Sequence, residues 1–238
     1  MILSKTAQKA LDAYGGGQVW KSHTYIEAEV SVRGLAFTLK RRPFFERANI
    51  KMEIARPYSR IMPIGKNKLL AGVLDGTEVR LENAEGLVIS ERKNARDFFP
   101  YGRRLFYWDD LDMAYFANYA FWNYFTLPNL LSDSRIQWTE KENGVLAAVF
   151  PPTIPTHSRV QEFYFDTQTG LLLQHNYTAD IISKLARAAN VVKEHKQSDS
   201  VIYASSRLVT PQNGKGKALK GPVLIDITVH NFRLTNGE

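Results

Sequence analysis

Five histidines (His23, His157, His175, His195 and His230) are the side chains best suited to acid–base or metal chemistry near neutral pH. Their spacing argues against zinc, because there is no HExxH and no other close ligand pair. The chain has no cysteine, which removes disulfides, thiolate metal sites and cysteine nucleophiles together. No GxSxG elbow is present, and Gly15-Gly16-Gly17 is not followed by a lysine–serine/threonine pair at P-loop spacing. One constellation remains. His175 and Tyr177 stand at i and i+2, so they share one face of a strand, and His195 belongs to a neighbouring strand. If they converge with Arg207, these four would orient the polar head of a ligand. Alternatively, they would line the pocket of an enzyme acting on a hydrophobic substrate, or stand apart as polar residues of a sheet surface. The pattern implies no cofactor and no metal.

The element that would cover such a pocket is conspicuous. Residues 113–132, MAYFANYAFWNYFTLPNLLS, run without a charge behind Asp109, Asp110 and Asp112. A membrane span has this length. Asn118, Asn123, Asn129, the tyrosines and Pro128 argue against it, since each amide needs a partner in lipid. The aspartates imitate a metal site, but helix capping accounts for them. Leu111, Tyr115, Tyr119, Trp122 and Phe125 fall on one helical face; Phe116, Ala117, Ala120, Phe121 and Tyr124 fall on another. A helix apolar all round must be covered on both sides. One side rests on the protein, and the other meets its core, a ligand or a second subunit. The expectation is a helix over residues 108–127 that roofs a cavity, with Phe116, Tyr119, Trp122 and Phe125 contacting an apolar guest.

The rest of the chain reads as strands. Residues 25–33 alternate between polar and apolar side chains. Further strand segments are expected at 35–41, 46–54, 59–64, 68–74, 78–82 and 87–90. After the aromatic helix they resume at 135–141, 144–150, 160–166, 171–179, 189–196, 201–210 and 223–232. Asp75-Gly76, Glu85-Gly86, Asn143-Gly144 and Thr169-Gly170 supply turns. A short helix over residues 4–14, capped by Ser4, precedes them, and the glycine triplet ends it. Short strands joined by tight turns imply an antiparallel meander. The reading is therefore mainly β: residues 1–238 form one curved antiparallel sheet, an incomplete barrel. A short N-terminal helix precedes the sheet, and a mid-chain aromatic helix closes the open side.

With 44% hydrophobic and 23% charged residues, the chain can bury a sizeable core. Its net charge of +7 comes from scattered groups: Lys40-Arg41-Arg42, Arg103-Arg104, and Lys215, Lys217 and Lys220. These read as solvated strand ends and loops, with an anionic membrane surface as a further candidate partner. No nucleic-acid motif accompanies the charge. The N-terminus lacks a signal-peptide core, so the expectation is cytoplasmic as the sequence stands, and periplasmic or extracytoplasmic if a leader has been removed.

From Ala10-Leu11-Asp12-Ala13-Tyr14-Gly15-Gly16 and Trp20 onward, the order of elements resembles the bacterial lipoprotein-carrier (LolA/LppX-like) half-barrel superfamily. Three segments are similar to an uncharacterised bacterial group within it. The first is Trp108-Asp109-Asp110-Leu111-Asp112-Met113-Ala114-Tyr115-Phe116. The second is Phe163-Tyr164-Phe165-Asp166 leading to Gly170-Leu171 and His175-Asn176-Tyr177. The third is Pro222-Val223-Leu224-Ile225-Asp226-Ile227. The resemblance implies non-catalytic binding or carriage of a lipid or other apolar small molecule. The alternatives remain the hydrophobic-substrate enzyme and a structural or dimerising protein.

Overall fold

Alternation of side chains along the strands decides the architecture. In β1 (Tyr25–Arg33) the residues Ile26, Ala28, Val30 and Val32 are buried while their neighbours are not. In the computed structural model, which describes residues 3–237, this face lines the inside of one antiparallel sheet. The chain leads outward through β2 (Phe45–Glu53), β3 (Tyr58–Met62), β4 (Ala71–Asp75) and β5 (Glu78–Glu82) to β6 (Val88–Arg92). It then crosses to the far edge and returns through β7 (Gln137–Glu140), β8 (Val145–Val149), β9 (Val160–Phe165), β10 (Leu172–Thr178), β11 (Arg187–Ser198) and β12 (Val201–Pro211). The last strand, β13 (Ile225–Thr235), pairs antiparallel with β1. Two meanders are thus stitched at the centre, and the thirteen-stranded sheet is curved and unclosed, with β6 and β7 at its edges. At the β7–β8 hairpin, Asn143 and Gly144 both have positive φ, as the tight turn requires.

Helices fill and close the half-barrel. Ser4 caps α1 (Lys5–Ala13) by accepting from the Ala7 amide. A second short helix, α2 (Gly16–Lys21), begins where sequence predicts only a turn. Its Trp20 is buried and donates to the Tyr14 carbonyl at 2.9 Å. The expected strand over 35–41 is instead a helical turn, α3 (Leu35–Leu39). Gly34 swings the chain out of β1, and the Leu35 and Ala36 amides bond to the carbonyls ahead of β13, so only Phe37 is buried.

The aromatic helix is α4 (Asp110–Phe125), followed by α5 (Leu127–Leu130). Asp109 accepts from the Asp112 amide at 2.7 Å, and Asp112 accepts from the Asp109 amide at 3.1 Å, forming a reciprocal cap. From Leu111 to Phe125 every residue of α4 is buried. The asparagines that argued against lipid tie the helix down: Asn118 donates to the Gly72 carbonyl and Asn123 to the Pro155 carbonyl. Gly72 of β4 lets helix and sheet approach closely, since a Cβ there would sit 2.6 Å from the Ala114 Cβ. Among the described residues no helix is long and apolar enough to cross a membrane.

Candidate ligand-binding site

The inside of the half-barrel is not uniformly filled. At one end the side chains of α4 and its surroundings pack solidly. Trp122 donates to the Glu53 carbonyl at 2.8 Å, and Phe125 meets Phe232 edge-on at 5.4 Å. At the other end a cavity of about 560 Å³ remains. Its walls are Trp108, Met113 and Phe116 beside and on α4, Phe37 on α3, and Val209 and Ile225 on the sheet. The β10–β11 connection contributes Ile182 and Leu185. His157 and Tyr177 form its buried polar end, and Lys40 and Arg187 also line it.

Behind that polar end lies a sealed network. The Tyr119 hydroxyl meets His157 Nδ1 at 3.3 Å, and the Tyr124 hydroxyl meets Nε2 at 2.8 Å and the Tyr177 hydroxyl at 3.0 Å. The His157 ring stacks on Tyr177 with centroids 3.8 Å apart. Burial, reinforced by the Arg96 charge, pushes the His157 imidazole down to about 3, so it is neutral at physiological pH. Burial likewise drives His175 well below its ordinary value, helped by His157 and Arg207. The His175 ring stacks on Phe163 and its Nε2 faces Gln161 Oε1 at 2.5 Å. Arg207 is 3% exposed and lies over the Tyr124 ring at 5.1 Å. Its Nε and Nη1 have no protein hydrogen-bond partner, and no carboxylate pairs with it among the described residues.

The expected site residues therefore divide. Phe116 and Tyr177 line the cavity, whereas Tyr119 stands one bond behind it. Trp122 and Phe125 belong to the packed end. His175, Tyr177 and Arg207 gather around Tyr124. His195 stands apart, half-buried with Nε2 at 3.1 Å from the Tyr14 hydroxyl, and burial followed by the Arg207 charge lowers it to about 4. His157, the hub of the network, lies in an aperiodic loop. Its two tyrosine partners sit 38 and 33 residues away in sequence, so no local spacing marks it.

The basic groups near the start of α4 are not the solvated ends that scatter suggested. Lys40 and Arg42 are buried, and Lys40 donates to the Arg104 and Leu105 carbonyls. Arg42 pairs with Asp110. Arg92 and Arg104 reach Asp112 at 2.5 and 2.7 Å, while Arg92 and Arg103 reach Asp109. Burial opposes ionisation of Asp109, but Arg92 and the Asp112 amide outweigh it and hold the carboxyl well below its usual range. The aspartates are a clasp as well as a cap.

No family model matches the sequence, and no relative is found among curated proteins. Solved structures do match. A LolA superfamily protein from Nitrosomonas europaea is 8% identical with a TM-score of 0.52, over 100% of this chain and 96% of that one. A DUF1329 family protein from Desulfovibrio piger is 12% identical with a TM-score of 0.51, over 98% and 93% respectively. At such identities the likeness is one of fold, and the fold is the LolA-like half-barrel.

Proposed function

We propose that this half-barrel binds and carries a lipid or another small molecule with a long apolar portion, without acting on it chemically. The observation that carries the reading is the 560 Å³ cavity and its lining. The volume lies in the range of about 300–1,000 Å³ typical of small-molecule sites. Among the described residues, its lining contains no serine, threonine, aspartate or glutamate. Its one imidazole, His157, has both nitrogens taken by tyrosine hydroxyls, which suits a fixed hydrogen-bonding floor better than a proton shuttle. Phe116 and Tyr177 would touch the guest, and the Tyr177 hydroxyl, held by Tyr124 and backed by the stacked His157 ring, would meet its polar atom.

A series of saturated fatty acids of increasing length, competing against a fluorescent fatty acid, tests this. Each buried methylene contributes about 0.8 kcal/mol, so affinity should rise about fourfold per carbon until the cavity is full and then level off. Absence of binding, or affinity indifferent to chain length, would refute the proposal.

A further inference from the structure

The cavity mouth has a surface chemistry of its own. Four residues that line it are also strongly exposed apolar side chains: Leu185 at 89%, Phe106 at 72%, Leu39 at 59% and Leu105 at 48%. They come from three separate segments, namely the end of α3, the approach to α4 and the β10–β11 connection. Single exposed leucines are ordinary, but four around one opening form a patch.

The same three segments are basic. Residues 38–42, 103–107 and 183–187 read TLKRR, RRLFY and SKLAR, with seven lysines and arginines and no acid. Arg42, Arg103 and Arg104 are neutralised by the aspartates at the start of α4. Arg41, Lys184 and Arg187 are exposed and make no ion pair among the described residues. The rim therefore presents apolar tips interleaved with exposed cations that form no ion pair among the described residues.

We propose that this rim docks on an anionic lipid surface, with Phe106, Leu185, Leu39 and Leu105 entering the interface and Arg41, Lys184 and Arg187 facing the headgroups. Apolar tips flanked by cations are the composition that partitions to an anionic bilayer boundary. The placement suits the cavity: its opening would face hydrocarbon, so an apolar guest would enter without crossing water. This rationale rests on the carrier reading above, but docking itself does not require the cavity to be filled.

Sedimentation of the full chain with vesicles tests the proposal, using phosphatidylcholine alone and mixed with phosphatidylglycerol. The protein should pellet with the mixed vesicles at low salt and be released as salt rises. Each basic residue near the surface is worth about fivefold, so Arg41→Gln/Lys184→Gln/Arg187→Gln should weaken binding about a hundredfold. Phe106→Ser/Leu185→Ser should weaken it at least tenfold by the area lost (roughly). Circular dichroism on both variants confirms that these exposed substitutions leave the fold intact. The proposal falls if the protein stays in the supernatant with anionic vesicles, or if both variants bind as the parent does. It also falls if light scattering shows a dimer dissolved by Phe106→Ser/Leu185→Ser, since the patch is then a subunit contact. Fatty-acid binding measured without vesicles separates the two readings: its loss overturns the carrier function and leaves vesicle docking standing.

Discussion

The buried imidazole of His157 makes stability depend on pH in a way that can be worked through. In the unfolded chain this histidine titrates near its ordinary value of 6.5, but in the folded protein burial holds it to about 3. Above 6.5 both states are neutral at this position and nothing is lost. As pH falls below 6.5, the unfolded chain takes a proton that the folded chain refuses, so stability declines until the pH reaches the folded value. At about pH 5 the cost from His157 alone is about 2 kcal/mol, because one and a half pH units separate that point from 6.5. His175 and His195 are displaced in the same direction and add to the decline. The assay is urea unfolding at about pH 7 and about pH 5 for the parent and for His157→Gln. Glutamine keeps a donor and an acceptor for Tyr119 and Tyr124 but has no titrating group. The variant starts less stable by about 1–3 kcal/mol, having lost its stacking on Tyr177. Between the two pH values it should then lose about 2 kcal/mol less than the parent. An identical loss in both proteins would show that His157 is not held neutral by burial, and the network reading would fail.

Three further outcomes follow from the geometry. Asp112→Asn leaves Arg92 and Arg104 against a neutral partner at a site where the aspartate side chain is fully buried. Chemical denaturation should register a loss of about 3–5 kcal/mol. Gly72→Ala should cost about 1–3 kcal/mol in the same assay, because the new methyl meets Ala114. Adding Ala114→Gly should recover part of that cost. Ala188→Leu places extra volume in the cavity wall, so binding of a long fatty acid should weaken at least about tenfold while thermal stability holds or rises.

The sheet was legible in the sequence because its signals are local. Alternation along residues 25–33 and the Asn143-Gly144 turn each specify their own geometry with no reference to the rest of the chain. The exception is Leu35–Leu39, whose five residues are too short to distinguish a strand from a helical turn by period alone. The site was harder to read. Trp122 and Phe116 are aromatic residues on two faces of a helix that is apolar all round, yet one packs into the closed end and the other lines the cavity; nothing in the sequence says which face, or which end of the helix, meets open space. Lys40 and Arg42 looked like surface charge, since nothing in LKRR reveals that the Arg104 and Leu105 carbonyls will take the lysine and Asp110 the arginine. His157 stood out no more than the other histidines for the same reason, because its role is defined by partners on α4 and β10.

The pairing of β1 with β13 has a consequence for how the molecule comes into being. Tyr25 lies opposite Thr235, so the central seam joins segments separated by about two hundred residues. During synthesis the first meander emerges long before the strand that completes it. Throughout that interval β1 offers an open edge backed by the apolar row of Ile26, Ala28, Val30 and Val32. Such an edge invites another nascent chain to add its own strand. Folding is slow for so non-local a topology. The seam that makes the finished half-barrel continuous is thus its point of greatest exposure before completion, and the step at which a chaperone would have most to protect.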